Sequence, residues 1–161
     1  MNQKEHVLNA ALLGIGLGYV LEPAGDEATF RMVLAVTVPV VLGALFPDVD
    51  AHYGRHRKAL HNLPILALFL AFPIYFDNLQ WVWLGVLTHY VLDVMGTTRG
   101  VALFYPLWKE EFNLPVGVPV SSDRAGLVTV LVTAVELAIA AAIVWYAPPE
   151  LAELGAQYVG Q

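Results

Sequence analysis

His89 and Asp93 are two residues that can bind metal or move protons, and they stand four positions apart near the end of an apolar segment. This spacing places both side chains on one face of a helix, where they can converge on one ion. At 1.5 Å per residue, His89 lies roughly 9 Å inside the predicted helix end at Met95, too deep for casual solvation. Ionisable groups at such depth indicate a functional site, although a hydrogen bond that pins two helices is an open alternative.

The loop after an earlier apolar segment carries further candidates. Pro47 ends the preceding helix, so Asp48 and Asp50 emerge on a turn that can direct both carboxylates inward. His56 and His61 follow in the same loop. A solvated loop with helix-capping aspartates is the alternative interpretation. Because imidazole and carboxylate are ligands that divalent metals take from proteins, we predict a metal site with the ligands Asp48, Asp50, His61, His89 and Asp93. Five candidates exceed one tetrahedral zinc site, so either one of them lies behind the ligands or two metals share bridging carboxylates.

The composition places these residues in or beside a membrane. Hydrophobic residues make up 58% of the 161 and charged residues 14%, with a mean hydropathy of +0.62. Soluble domains are usually about a quarter charged. The net charge of −6 and the lack of a basic stripe argue against nucleic acid as a partner. The chain has no cysteine, which excludes disulfides, thiolate zinc sites and cysteine nucleophiles.

Five apolar segments position the candidate residues, at 7–21, 30–46, 63–76, 80–95 and 126–147. Only the last meets the usual length of about 20 apolar residues for a membrane span. We predict that all five are spans, because a soluble fold with so little charge would show water almost no polar surface. The predicted fold is therefore an all-α bundle of about five transmembrane helices, forming a single membrane-embedded domain over residues 1–161.

The segment at 96–125 is too long for a simple connection, and its prolines, Pro106, Pro115 and Pro119, forbid one continuous helix. Its aromatic residues suit the membrane interface, so we expect an irregular interfacial piece that shapes access to the site.

Basic residues predict the orientation in the membrane. With five spans, one side carries seven of the eight basic residues, and the opposite side carries only Arg31. The positive-inside rule then places the N-terminus in the cytoplasm and the C-terminus outside the inner membrane. All five histidines fall on the cytoplasmic side or in the inner half of a span. Glu136 is an ionisable residue predicted to lie apart from the histidines, near the middle of the last span. It could be protonated, paired to another helix or part of an oligomer contact.

The combined pattern resembles the YdjM-like family of bacterial and archaeal inner-membrane proteins, which is described as metal-dependent hydrolases. The resemblance covers roughly residues 5 to 108. It consists of a PDxD turn at 47–50, a histidine–arginine run at 56–61, His89, Asp93, Thr97 and Gly100 at a helix end, and an aromatic–proline segment at 103–106. Two departures are a residue inserted between Asp50 and His52 and Leu60 in place of a hydroxyl residue. The resemblance implies hydrolase chemistry, and it leaves open whether His6, His52 and Thr97 contact the metal or lie behind its ligands.

Hydrolysis of an ester or phosphoester bond is the first functional hypothesis, with a lipid or lipid-linked molecule presented from the bilayer as substrate. His56 is then the predicted general acid/base, and Arg57 is predicted to hold an anionic group by a bidentate contact. Zinc is favoured by the histidine share, manganese or iron would accept the same ligands, and magnesium fits less well. The alternatives are a metal or proton transport protein and a non-catalytic scaffold with a structural His/Asp site.

Overall fold

The computed structural model describes residues 1–53, 57–76, 79–115 and 117–146. It contains five α-helices, α1 (Gln3–Leu21), α2 (Glu27–Leu45), α3 (Leu63–Phe76), α4 (Val82–Gly96) and α5 (Ala125–Tyr146), with a 3₁₀ helix at Pro47–Tyr53. Within these residues there is no extended strand, only two isolated bridges, so the all-α prediction is confirmed. Each of the five apolar segments forms one helix, and the bounds differ from the prediction by a few residues.

Two local signals set where the first helices begin and end. The side chain of Asn2 caps α1 by accepting from the backbone N–H of Lys4 at 2.9 Å, and Asp26 caps α2 by accepting from that of Ala28 at 2.9 Å. At the other end, α2 stops at Leu45 just before Pro47, as the sequence predicted, and Pro47 opens the 3₁₀ helix. The helical stretch therefore continues past α2 as a 3₁₀ helix that carries Asp48 and Asp50.

Helices α1, α2, α4 and α5 form the packed centre, and α3 lies on the outer side of α4. The α2–α4 crossing is close because two glycines face each other there. A Cβ atom on Gly85 would lie 2.0 Å from the carbonyl oxygen of Val40, and one on Gly43 would lie 2.1 Å from that of Val82. Small residues allow membrane helices to approach backbone to backbone. This contact brings the C-terminal part of α2 against the helix that carries His89 and Asp93.

The outer faces of the bundle are apolar and exposed. Leu42, Ile74, Leu127 and Ile143 are each more than half exposed, whereas soluble monomers rarely leave large contiguous apolar patches uncovered. Two helical stretches, Glu27–Asp50 and Ala125–Tyr146, are long and apolar enough to cross a membrane, and only 28% and 17% of their apolar windows are buried within the protein. Such low burial suits helices that face lipid rather than a soluble core.

The connection between α4 and α5 is irregular over its described residues, as predicted. Isolated bridges join Thr97 to Val118 and Val101 to Phe112. The backbone N–H of Leu63 donates to the carbonyl oxygen of Leu103 at 2.8 Å. These contacts fold the connection over the loop that precedes α3. The connection therefore helps to fix the loop that carries Arg57 and His61.

Candidate metal centre

Four donor atoms from three parts of the chain meet at the end of the bundle. The Nε2 atoms of His61 and His89 lie 3.0 Å apart. Asp93 Oδ2 lies 3.8 Å from His61 Nε2 and 3.7 Å from His89 Nε2, and Asp48 Oδ1 lies 4.0 and 3.7 Å from the same two atoms. Both histidines and Asp93 are almost fully buried, and Asp48 is partly exposed. Zinc bonds of 2.0–2.2 Å place neighbouring donors of a tetrahedron roughly 3.3–3.6 Å apart, so each of these five pairs of atoms is near the separation that an ion requires.

His89 owes its orientation to the α2–α4 crossing. Its Nδ1 lies 2.7 Å from the carbonyl oxygen of Ala44. A carbonyl can only accept, so Nδ1 carries the proton and donates it. In the neutral ring Nε2 then presents its lone pair, and this atom faces His61 and both carboxylates. The residue next to Gly43 therefore decides which nitrogen of His89 can bind an ion.

His61 is oriented in the same way by an acidic residue. Its Nδ1 lies 3.2 Å from Asp50 Oδ2, and the same oxygen accepts from the backbone N–H of Leu60 at 3.2 Å. A carboxylate behind the distal nitrogen of a histidine is the usual partner that fixes the ring for metal binding. Tyr90 also holds this loop, because its hydroxyl donates to the carbonyl oxygen of Leu60 at 2.5 Å. Asp50 thus contacts the distal nitrogen of His61, and its predicted role as a metal ligand stays a prediction.

His6 of α1 is one of the three residues whose place the sequence left open, and the structure brings it beside His89 and Asp93. Its ring stacks on that of His89 with centroids 3.6 Å apart and planes at 8°. Its Nε2 lies 3.4 Å from Asp93 Oδ1, without the geometry of a hydrogen bond. The sequence signals for it were its residue type, its position at the start of an apolar segment and the early histidine that recurs in the family that the sequence resembles.

Positively charged groups surround the Oδ1 atom of Asp93. Arg57 is 3% exposed, and its Nη2 lies 3.7 Å from Asp93 Oδ1. Its Nη1 donates to Thr97 Oγ1 at 3.2 Å and to the carbonyl oxygen of Arg99 at 2.8 Å. The Met1 amino group also contacts Asp93 Oδ1, and burial lowers the pKa of this amine. Thr97 therefore contacts Arg57, and its Oγ1 also lies 2.9 Å from the backbone carbonyl oxygen of Asp93.

Asp48, His61, His89 and Asp93 are the sequence-predicted residues that the structure brings together. His56 lies outside the described residues, and so does the side chain of His52, whose backbone belongs to the 3₁₀ helix. Arg57 lies at the centre beside Asp93, and its predicted role toward an anion stays a prediction.

A second polar cluster, formed by Asn9, Thr88, Thr133 and Glu136, lies next to this centre and joins α1, α4 and α5. Asn9 donates to Thr88 Oγ1 at 2.7 Å, and Thr88 Oγ1 lies 2.7 and 2.8 Å from the two carboxyl oxygens of Glu136. Thr133 donates to Asn9 Oδ1 at 2.5 Å. Glu136 is thus bonded to another helix, one of the roles the sequence left open. The remaining members were not found from sequence, although Asn9 follows His6 by one helical turn and Thr88 adjoins His89.

The donor set fits a divalent metal. Two groups of buried or half-buried ligand atoms lie within 4.8 Å of one another, His6–His89–Asp93 and Asp48–His61–His89. Both His61 and His89 direct Nε2 into the centre, and anionic oxygens complete it. The arrangement can hold a cation by charge and by lone pairs.

The fold and this centre define an α-helical membrane protein with a buried cluster of histidine and aspartate able to hold a metal ion. The chain belongs to the YdjM inner membrane protein family, whose model matches residues 1–154. Comparison with curated proteins and with solved structures found no match. The resemblance inferred from the motifs is confirmed, and the match extends to α5.

Proposed function

We propose that this protein is a membrane-embedded, metal-dependent hydrolase that cleaves an ester or phosphoester bond of a lipid or lipid-linked substrate. One observation carries the proposal: His61 Nε2 and His89 Nε2 face each other at 3.0 Å while both Nδ1 atoms lie against acceptors. Two neutral rings held this way oppose their lone pairs, which is unfavourable in a buried site unless a proton or a metal ion lies between the two nitrogens. The carboxylates of Asp48 and Asp93 supply the compensating negative charge.

Asp48, His61, His89 and Asp93 are the residues that we assign to the metal. A bound divalent metal lowers the pKa of its water ligand and polarises the bond to be cleaved. We assign Asp50 to orienting His61, since its carboxylate contacts the distal nitrogen of that ring. With two nitrogen and two oxygen donors, zinc is the favoured ion, and manganese or iron would accept the same set.

Arg57 and His56 are proposed to act on the substrate. Arg57 Nη1 is held by Thr97 and the Arg99 carbonyl. This fixes the guanidinium beside the centre, where Nη2 can bind an anionic oxygen of a phosphoester. His56 remains the proposed general acid/base, because an unmetallated histidine titrates in the useful range.

A substrate presented by the bilayer is supported by where the centre lies along the helices. Asp93 stands three residues before the end of α4 at Gly96, which is about 5 Å along the axis. The following connection exposes large apolar side chains, among them Phe104, Leu107 and Trp108. Aromatic side chains of this kind suit the membrane interface. A headgroup at that depth would reach the centre while its acyl chains stayed in the lipid.

The test begins with metal content. The full-length protein is purified in detergent without chelator, analysed for bound metal, and assayed against chromogenic phosphoesters and acyl esters. We expect stoichiometric metal in the parent and loss of it in His89→Ala and Asp93→Asn, since an amide cannot replace the anionic donor. His56→Ala should keep the metal and lose turnover. Arg31→Ala is the control, because Arg31 forms only an exposed ion pair with Glu27.

The outcomes separate the proposal from its alternatives. A metal-free parent, even after incubation with Zn²⁺, would overturn it and favour a hydrogen-bonded cluster that pins helices. Bound metal that crosses the membrane of reconstituted vesicles, with no hydrolysis of either substrate class, would replace it with transport. Bound metal with neither activity would favour a structural site.

A further inference from the structure

His6 is a buried polar residue that the four-ligand centre does not use. Its side chain is 1% exposed, and among the described residues neither ring nitrogen has a hydrogen-bond partner. Leaving such a group unsatisfied in a buried site carries an uncompensated desolvation cost. A histidine buried at this cost beside a carboxylate indicates a ligand for the ring.

Asp93 divides its two oxygens between the stacked histidines. Oδ2 faces His61 and His89, at 3.8 and 3.7 Å from their Nε2 atoms, whereas Oδ1 lies 3.4 Å from His6 Nε2. The rings of His6 and His89 are nearly parallel and 3.6 Å apart. Parallel rings that direct Nε2 toward different oxygens of one carboxylate offer two adjacent positions for ions. Two-metal sites separate their ions by about 3.5–4 Å, close to this ring spacing.

We infer that the centre binds two divalent metal ions, the second held by His6 Nε2 and Asp93 Oδ1, with the Asp93 carboxylate bridging the pair. The inference rests on the proposed metal centre and extends it. A single ion bound by Asp48, His61, His89 and Asp93 Oδ2 would leave His6 unused, because His6 approaches Oδ1 while the other histidines approach Oδ2. Two ions with a bridging carboxylate would favour a phosphoester as substrate, since a metal pair clamps the attacking and leaving oxygens of an in-line displacement.

Two cationic groups already lie beside Asp93 Oδ1. Arg57 Nη2 lies 3.7 Å from it, and the Met1 amino group contacts it directly. The second ion and the Met1 amine therefore compete for the same oxygen. The second ion should accordingly bind more weakly than the first and be lost first during dialysis.

Stoichiometry tests the inference. The full-length protein is loaded with Zn²⁺, freed of excess, and analysed for metal per chain, with His6→Ala, His6→Gln and a control, Asn9→Ala. Asn9 lies on the same face of α1, and its side chain bonds Thr88 rather than the centre. We expect two ions in the parent and the control, and one in both His6 variants. Electron paramagnetic resonance of the Mn²⁺-loaded parent should show a spin-coupled pair, which requires no variant to fold.

Each outcome decides a different point. One ion in the parent, with an isolated Mn²⁺ signal, would overturn the inference and leave the proposed hydrolase intact. Two ions in the parent and two in folded His6→Ala would overturn the assignment of His6. A parent that binds no metal would overturn the proposed function itself.

Discussion

The Nδ1 atom of His89 lies 2.7 Å from the carbonyl oxygen of Ala44, one residue beyond the glycine at which α2 crosses α4. The metal-binding orientation of His89 therefore depends on how closely two helices approach. The close contact between Gly43 and Gly85 thus controls the orientation of the His89 imidazole.

Gly85→Ala should weaken metal binding without touching a ligand. Its Cβ would lie 2.0 Å from the Val40 carbonyl oxygen, so α2 and α4 must separate and Ala44 must withdraw from His89. Loss of such a supporting hydrogen bond typically costs 10–100-fold in metal affinity. Competition with a Zn²⁺ chelator measures the change. Gly126→Ala is the matched control, because nothing lies within 4 Å of its added Cβ, and an unchanged affinity in Gly85→Ala would contradict the prediction.

Asp50→Asn should reduce metal affinity about 10–100-fold, because an amide orients His61 less strongly than a carboxylate does. Asp93→Asn should instead remove the metal under the same conditions. The same chelator competition compares the two variants. If Asp50→Asn lost its metal as completely as Asp93→Asn, Asp50 would be a ligand, as the sequence first suggested.

Thr133→Val should destabilise the bundle by about 1 kcal/mol, because it removes the donor to Asn9 Oδ1 in a buried polar cluster. Thr129→Val provides the control. Thr129 is equally buried, yet its hydroxyl bonds only the Ala125 carbonyl of its own helix at 3.0 Å. Unfolding in detergent followed by circular dichroism measures both, and metal content should not change. Equal losses in the two variants would show that the connection between helices contributes nothing.

Arg57→Met should destabilise the metal-free protein by about 3 kcal/mol, because it leaves the buried carboxylate of Asp93 with less compensating charge. With Zn²⁺ bound the loss should be smaller, since the ion supplies positive charge. Arg57→Lys, which keeps the charge, is the matched control. Thermal unfolding with and without Zn²⁺ tests this dependence. A loss of equal size in both states would assign Arg57 to its hydrogen bonds with Thr97 and the Arg99 carbonyl.

The two ends of the chain should lie on opposite sides of the membrane, as five spans require. Tags at both ends, tested with protease in intact and permeabilised cells, measure this. Protection of the N-terminal tag with cleavage of the C-terminal tag is expected. Equal accessibility of both tags would exclude a five-pass arrangement with a cytoplasmic N-terminus.

The sequence by itself determined the five helices and the chemical nature of the centre. Apolar segment length, Asn2 and Asp26 caps and the break at Pro47 are local features, and they act through backbone geometry within a few residues. The i,i+4 spacing of His89 and Asp93 likewise fixes a shared helix face before any tertiary contact forms.

Only the tertiary structure decided which atoms of these residues face the centre and which residues orient them. The nitrogen of His89 that faces the centre depends on a carbonyl of another helix, and that of His61 depends on Asp50. His6 joins the centre because α1 packs against α4. Such relationships arise from contacts between distant segments, whose register no local periodicity encodes. The sequence pattern could therefore predict which residues belong to the centre, and the packing of the helices determined which of their atoms are in contact.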